Sequence, residues 1–405
     1  MILINILILL INNHLIRAFE NLIYENDFFI QRNKRVALRN LNFRWNETKI
    51  YYVIDSKLGH SFELHRAISE IAYKSCLKFE KLQNNEFNIN KTGLYFRSGQ
   101  ESDNLFGRRL KTNYYQNITI NIKNATPLNF IRWILYALGI DFKHNRPDAD
   151  DYIIIHRKNI NDSFLKHVKQ KTRKFVNTYG LKYDFESVMA LNEFEYAKNN
   201  KKKTFEVIDF KNKKKNITNH FLSQTDILIL NKYYCEDKCN PMYQCLNKGV
   251  PDYDSCNKCI CQFTHTGRYC QHPTYLRTKY CQDLDLKADK NYKEFTLDLS
   301  SNCSISITSS PETSIMIEYT FFGNNQGNEY TCNTKTGYIE IRYERNKYHE
   351  GLILCSYIIN GGFLTEDNYG LLFFRGIKSG QHVKIKYKEI SSDKIIPPSA
   401  DRTKK

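Results

Sequence analysis

The chain has 405 residues, 41% of them hydrophobic, and 60 Lys+Arg against 43 Asp+Glu give a formal charge of +17. This length predicts two or three domains, and the apolar fraction excludes a wholly disordered chain. Twelve cysteines, seven of them between Cys235 and Cys270, favour disulfides over metal thiolates and argue against a reducing compartment.

The first residues, MILINILILLINNHLI, form an apolar run of signal-peptide length, which predicts a signal peptide over 1–17 even though a basic leading segment is missing. No later stretch is long and apolar enough to span a membrane, so no membrane span is expected. The basic tetrapeptide Arg32-Asn33-Lys34-Arg35 predicts a short propeptide over 18–35, cleaved after Arg35. Sequons at Asn46, Asn90, Asn117, Asn124, Asn161, Asn216 and Asn302 fit a secreted, extracellular glycoprotein, although a chain this rich in Asn also makes sequons by chance. The positive charge raises a nucleic-acid hypothesis. However, the Lys201–Lys203 and Lys213–Lys215 runs lie in polar, Asn-rich stretches with no aromatic residue inside either run, so solvated loops with some affinity for anionic glycans are the expectation.

Along the chain, Lys49–Asp55, Gly93–Ser98 and Asn117–Lys123 alternate as strands, and Glu63–Phe79 places Leu64, Ile68, Ile71 and Ser75 at helical spacing. Together they predict a mixed sheet packed with helices. A second helix starts at the N-cap Thr126 and Pro127 and stops at Gly139; Arg132 and Tyr136 lie four residues apart on one of its faces. Six cysteines between Cys239 and Cys270 are too dense for an apolar core, so three disulfides are expected, in any of fifteen pairings. Beyond Cys281, strand-like segments at Glu294–Leu299, Ser314–Phe322, Tyr338–Tyr343, Leu352–Ile358, Gly370–Phe374 and His382–Tyr387 predict a disulfide-bearing β-sandwich, with a polar tail over 391–405.

Several fragments together resemble the astacin family of zinc metalloendopeptidases, in the nematode arrangement with EGF-like and CUB domains. These are Ala137-Leu138-Gly139, Arg146-Pro147-Asp148, Tyr183-Asp184-Phe185, Ser187-Val188-Met189, Leu222-Ser223-Gln224-Thr225-Asp226-Ile227 and Tyr234-Cys235. The resemblance implies an α+β fold: a two-lobed, metzincin-like protease domain over 36–235, a small EGF-like domain over 236–271 and a CUB antiparallel β-sandwich over 281–390. It also implies disulfides Cys76–Cys235, Cys239–Cys256, Cys245–Cys259, Cys261–Cys270, Cys281–Cys303 and Cys332–Cys355.

The family binds one zinc ion per chain through H-E-x-x-H-x-x-G-x-x-H-E. Anchored without a gap on Gly139 and Arg146-Pro147-Asp148, the three ligand positions fall on Arg132, Tyr136 and Phe142 and the general-base position on Trp133. No cofactor is therefore expected, and although the family is hydrolytic, a catalytically inactive pseudoprotease that binds extracellular proteins or peptides is the reading the residues favour. An active zinc metalloendopeptidase and a matrix- or glycan-binding adhesion glycoprotein are the alternatives. The family's carboxylate after the third ligand, which bonds the new N-terminus after activation, is Lys143 here, so the resemblance implies a like-charge contact between Lys143 and that terminus; Met189 keeps the Met-turn. Tyr24-Glu25-Asn26-Asp27 resembles the family's prosegment element and predicts that Asp27 faces Arg132. The former cleft is expected either to persist as a peptide groove or to be closed by the aromatic side chains.

Overall fold

The computed structural model describes the chain from Ala37 to Ser391 apart from residues 39–42, 59–60, 83–91, 101, 109–114, 122, 124–125, 173, 209–221, 240–244, 263–264, 275–284, 299–302, 324–337, 346, 348–350, 355–359 and 376–380. The expected signal peptide, propeptide and Arg35 cleavage site lie outside the described residues, as do Asp27, Asn90, Asn124, Asn216, Asn302, Cys281, Cys332 and Cys355.

The first unit is built on a five-stranded sheet. After the short β1 (Ala37–Leu38) come β2 (Lys49–Ile54), β3 (Lys78–Lys81), β4 (Gly93–Gly99), β5 (Asp103–Asn104) and β6 (Gln116–Asn121), in the order β3-β2-β4-β6-β5. The pairings are parallel except at the β5 edge. Parallel neighbours require crossovers, and α1 (Ser61–Tyr73) supplies the one between β2 and β3. Gly93 admits no side chain, because a Cβ there would meet Tyr51 O at 2.4 Å across the β2–β4 pair.

Leu64, Ala67, Ile68 and Ile71 of α1 are buried, and so is every residue of α2 (Pro127–Ala137) from Phe130 onward. A helix buried on all sides is a core element, and α2 is the spine of this unit. α1 is shorter than the periodicity implies. Ser75 Oγ donates to Ile71 O at 2.7 Å and accepts from Leu77 N, and Cys76 is tied to Cys235, so the chain leaves the helix before entering β3.

The rest of the unit is mostly turns: β7 (Ile153–Ile155) pairs with β9 (Phe205–Val207), and β8 (Val176–Asn177) pairs with β1. The one-turn α3 (Asp162–Leu165) precedes α4 (Gln224–Tyr234), which opens with a capping box between Ser223 and Asp226. α4 ends at Cys235, joined to Cys76 across 159 residues.

A second, small unit is held by Cys239–Cys256, Cys245–Cys259 and Cys261–Cys270, with hairpins β10 (Val250–Pro251) with β11 (Cys259–Ile260) and β12 (His265–Thr266) with β13 (His272–Pro273). Val250 of this unit belongs to the same apolar cluster as the first. The third unit is a sandwich of a five-stranded and a four-stranded sheet. Ile305, Ile307, Leu372 and Phe374 from one sheet pack toward Ile315, Ile317, Val383 and Ile385 from the other. Its strands Asp285–Lys287, Cys303–Thr308 and Asn360–Leu364 are additional to those the periodicity marks. Cys303 is disulfide-bonded, and among the described residues no cysteine is free.

Candidate functional site

α2 carries the centre of the site. Thr126 caps it by accepting from Asn129 N, Pro127 opens the first turn, and Gly139, at φ 87°, takes the chain out of the helix through the left-handed region. The chain then returns through the turn at 143–145, where Lys143 N donates to Met189 O at 3.0 Å.

Arg132 is 5% exposed and its guanidinium is fully engaged. Nε donates to Val188 O at 2.5 Å, Nη2 donates to Ala190 O at 2.8 Å, and Nη1 pairs with the Glu195 carboxylate. The two carbonyls flank Met189, which is itself fully buried. A planar fork of donors suits this arrangement, since one rigid cation reads two carbonyls and a carboxylate at once. Asp27 lies outside the described residues, and the carboxylate that neutralises Arg132 among the described ones is Glu195.

Lys143 is fully buried, and its ammonium lies 3.4 Å from Asp226 Oδ1; the N-terminus that cleavage after Arg35 would create lies outside the described residues. Asp226 also accepts from Ser187 Oγ at 2.5 Å and from Val188 N at 2.9 Å. Nearby, burial opposes ionisation of Asp184, yet Lys143 and the hydroxyls of Ser223 and Thr225 hold its carboxyl below the ordinary carboxylate range. An ammonium removed from water needs a carboxylate beside it, and α4 supplies one. The 187–190 turn is thus gripped by two buried cations, Arg132 through its carbonyls and Lys143 through Asp226.

The other site positions are filled with rings. Trp133 and Phe142 are fully buried and Tyr136 nearly so. Trp133 meets Tyr136 and Phe142 edge-on at centroid distances of 5.7 and 5.9 Å, and Tyr136 lies 5.4 Å from Phe142. His167, which no local pattern marks, completes the cluster: it is 5.2 Å from Trp133, and its Nδ1 is 3.2 Å from Tyr136 Oη. His144 stacks on Phe142 at 5.3 Å, and its Nε2 donates to His167 O at 3.1 Å. Burial pushes the His144 imidazole down to about 3, so it packs as a neutral ring at physiological pH. Edge-to-face contacts at these distances are the favourable geometry for aromatic rings, and they occupy this volume as packed core.

A zinc site needs at least three neutral imidazole, thiolate or carboxylate donors converging on one point, with a position left for water. Here those positions present a guanidinium already bonded to three oxygens, a phenol and a phenyl ring, and the base position presents an indole. These residues do not fit zinc, and no group of three His, Cys, Asp or Glu placed to hold a metal ion occurs among the described residues. What the arrangement does chemically is bind the 187–190 turn to α2 and α4 through charge, and seal the space beside it with rings. Of the described sequons, Asn46 and Asn117 are exposed and Asn161 stands at the N-cap position of α3 without a side-chain capping bond.

Residues 37–235 match the family model Astacin, which describes a peptidase family. The chain is 22% identical over 365 residues to Zinc metalloproteinase nas-34 of Caenorhabditis elegans, covering 90% of this chain and 58% of that one. It is 29% identical over 246 residues to Protein SpAN of Strongylocentrotus purpuratus, covering 59% of this chain and 39% of that one. The chain therefore spans less than two thirds of the length of either relative. Among solved structures it is similar to High choriolytic enzyme 1, a hatching enzyme zinc-protease from Oryzias latipes, with a TM-score of 0.41 and 20% identity over 49% of this chain and 98% of that one. The family match runs from β1 to the cysteine that closes α4, and these residues form an astacin-family domain.

Proposed function

We propose that this chain is a secreted astacin-family pseudoprotease, a glycoprotein that has given up zinc-dependent hydrolysis and acts by binding extracellular proteins or peptides. One observation carries the reading: Arg132 stands where the family keeps its first zinc ligand, and its guanidinium is spent on Val188 O, Ala190 O and Glu195. A permanent cation at that point repels a divalent metal, and Trp133 offers no base to activate water. The three-disulfide unit after Cys235 is read as EGF-like and the nine-stranded sandwich as CUB-like, both serving as interaction and spacing modules. No helix among the described residues is long and apolar enough to cross a membrane, which fits a secreted chain.

The competing reading, an active zinc metalloendopeptidase, follows from the family and from the names of the relatives. A cleavage assay separates the two. The purified chain, with and without its first 35 residues, is incubated with a denatured protein substrate in the presence of added zinc. The proposal expects no products above background; cleavage that a chelator abolishes, and that Arg132→His does not increase, would overturn it.

A further inference from the structure

The Lys run at 201–203 is not an isolated surface loop. Asn159 Nδ2 donates to Lys203 O at 2.7 Å, and Lys198 N donates to Asn159 O at 2.8 Å, so the turn at 157–159 is laid against the 198–203 loop. On its other side, Arg157 Nη1 donates to Val168 O at 2.6 Å, which joins the same turn to the segment 166–170. Three segments separated in sequence are therefore fastened edge to edge, and each brings cations to the surface.

Lys158, Lys169, Lys201 and Lys202 are exposed and have no carboxylate partner among the described residues. Of the acids in this region, Asp162 pairs with Lys198 at 2.7 Å and Glu193 with Lys203 at 2.9 Å, while Asp150 accepts from Gln170 at 3.2 Å at the edge of the patch. Between the lysines, Asn199 and Asn200 are exposed and add neutral donors. The result is a fixed concentration of positive potential made by one backbone and two side-chain-to-backbone hydrogen bonds, which the overall charge of the chain does not require.

The kind of anion follows from what the patch lacks. None of the large hydrophobic side chains exposed among the described residues falls within 157–159, 166–170 or 198–203; the nearest in sequence, Phe194, precedes the last of these. A single-stranded nucleic acid site needs aromatic faces for the bases, and a membrane-surface site needs apolar anchors to enter the acyl boundary. Strongly hydrated ammonium groups with amide donors between them suit sulfate and carboxylate groups repeated along a saccharide chain. We propose that the surface formed by 157–159, 166–170 and 198–203 is a binding site for a sulfated polysaccharide. It stands apart from the Arg132 site and does not depend on the loss of zinc.

The test compares two charge-matched variants of the full chain. One carries Lys158→Glu, Lys169→Glu, Lys201→Glu and Lys202→Glu; the other carries Lys57→Glu, Lys238→Glu, Lys287→Glu and Lys290→Glu at exposed positions elsewhere. Each is applied to immobilised heparin, eluted with NaCl, and titrated with heparin in solution. The first variant should bind more weakly by on the order of tenfold or more at physiological salt, while the second stays near the unmodified chain. Equal weakening by both variants would reduce the interaction to net charge and overturn the site. Equal affinity of the unmodified chain for desulfated heparin, for single-stranded DNA or for vesicles containing phosphatidylserine would overturn the assignment of a sulfated saccharide. If the Glu variants fail to fold, the corresponding Lys→Gln sets give the same comparison with half the charge change.

Discussion

Replacing Arg132 with Met keeps a long side chain on α2 and removes the charge that holds the 187–190 turn. Glu195, whose side chain is 19% exposed, is then left without its cation, and Val188 O and Ala190 O lose their donors. Stranding one partner of a buried ion pair destabilises by about 3–5 kcal/mol. For a unit of this size each kcal/mol moves the midpoint by about 2–4 °C, so Tm should fall by roughly 6–20 °C. The protein has two tryptophans, Trp45 and Trp133, both buried in the first unit, so urea unfolding followed by tryptophan fluorescence reports this unit and not the sandwich. Glu195→Gln should be milder, and in the double variant part of the loss should be recovered, with a coupling of about 1–3 kcal/mol. A change under about 0.5 kcal/mol in Arg132→Met, with no coupling to Glu195, would refute the claim that this guanidinium holds the turn.

Three other outcomes follow from the same geometry. Phe142→Ala empties a fully buried ring position and should destabilise the first unit by about 3–5 kcal/mol in the same urea assay, whereas Phe142→Leu should lose much less. Lys143→Met leaves Asp226 and Asp184 without their cation and should lower stability by roughly 3 kcal/mol, with the loss shrinking at acid pH as the Asp184 carboxyl, which Lys143 holds low, protonates. His144 has a folded-state value of about 3 against an ordinary 6.5, so the unfolded chain binds its proton first. The stability tied to its neutral form is whole above pH 6.5 and is lost as pH falls toward 3. At about 1.4 kcal/mol per unit, going from pH 6.5 to 4 removes about 3 kcal/mol. His144→Phe should flatten that acid limb, since Asn145 Nδ2 still donates to His167 O; an unchanged acid limb would show that His144 does not set it. Burial raises the Asp141 carboxyl and acts in the opposite direction in both proteins, so the difference between them isolates His144.

How much of this is legible in the sequence depends on how local the cause is. The bounds of α2 are written in Thr126, Pro127 and Gly139, each of which acts within one turn of itself. The end of α1 is not: the periodicity continues to Phe79, and the helix stops at Tyr73 because Ser75 turns its hydroxyl onto the backbone and Cys76 reaches a partner 159 residues away. The strands Cys303–Thr308 and Asn360–Leu364 escape the periodicity for a related reason, since serines and glycines in them take buried or paired places that the neighbouring strands create.

At the site, the residues at the four motif positions can be read directly from the spacing, but their partners cannot. Glu195 lies 63 residues from Arg132 with nothing local to mark it, and nothing beside Lys143 marks Asp226, which arrives on a different helix. A buried cation does imply a carboxylate somewhere in the fold, and that implication is the one signal that points toward both.

The central claim is that the α2 site is held by side-chain cations and cannot hold zinc. Its most direct test is the zinc content of the purified chain after equilibrium dialysis against micromolar zinc, measured beside a variant carrying Arg132→His, Trp133→Glu, Tyr136→His and Phe142→His. The unmodified chain should hold no stoichiometric zinc, and the folded variant should gain it. One tightly held zinc per unmodified chain, displaced by mutation of any residue in this cluster, would contradict it.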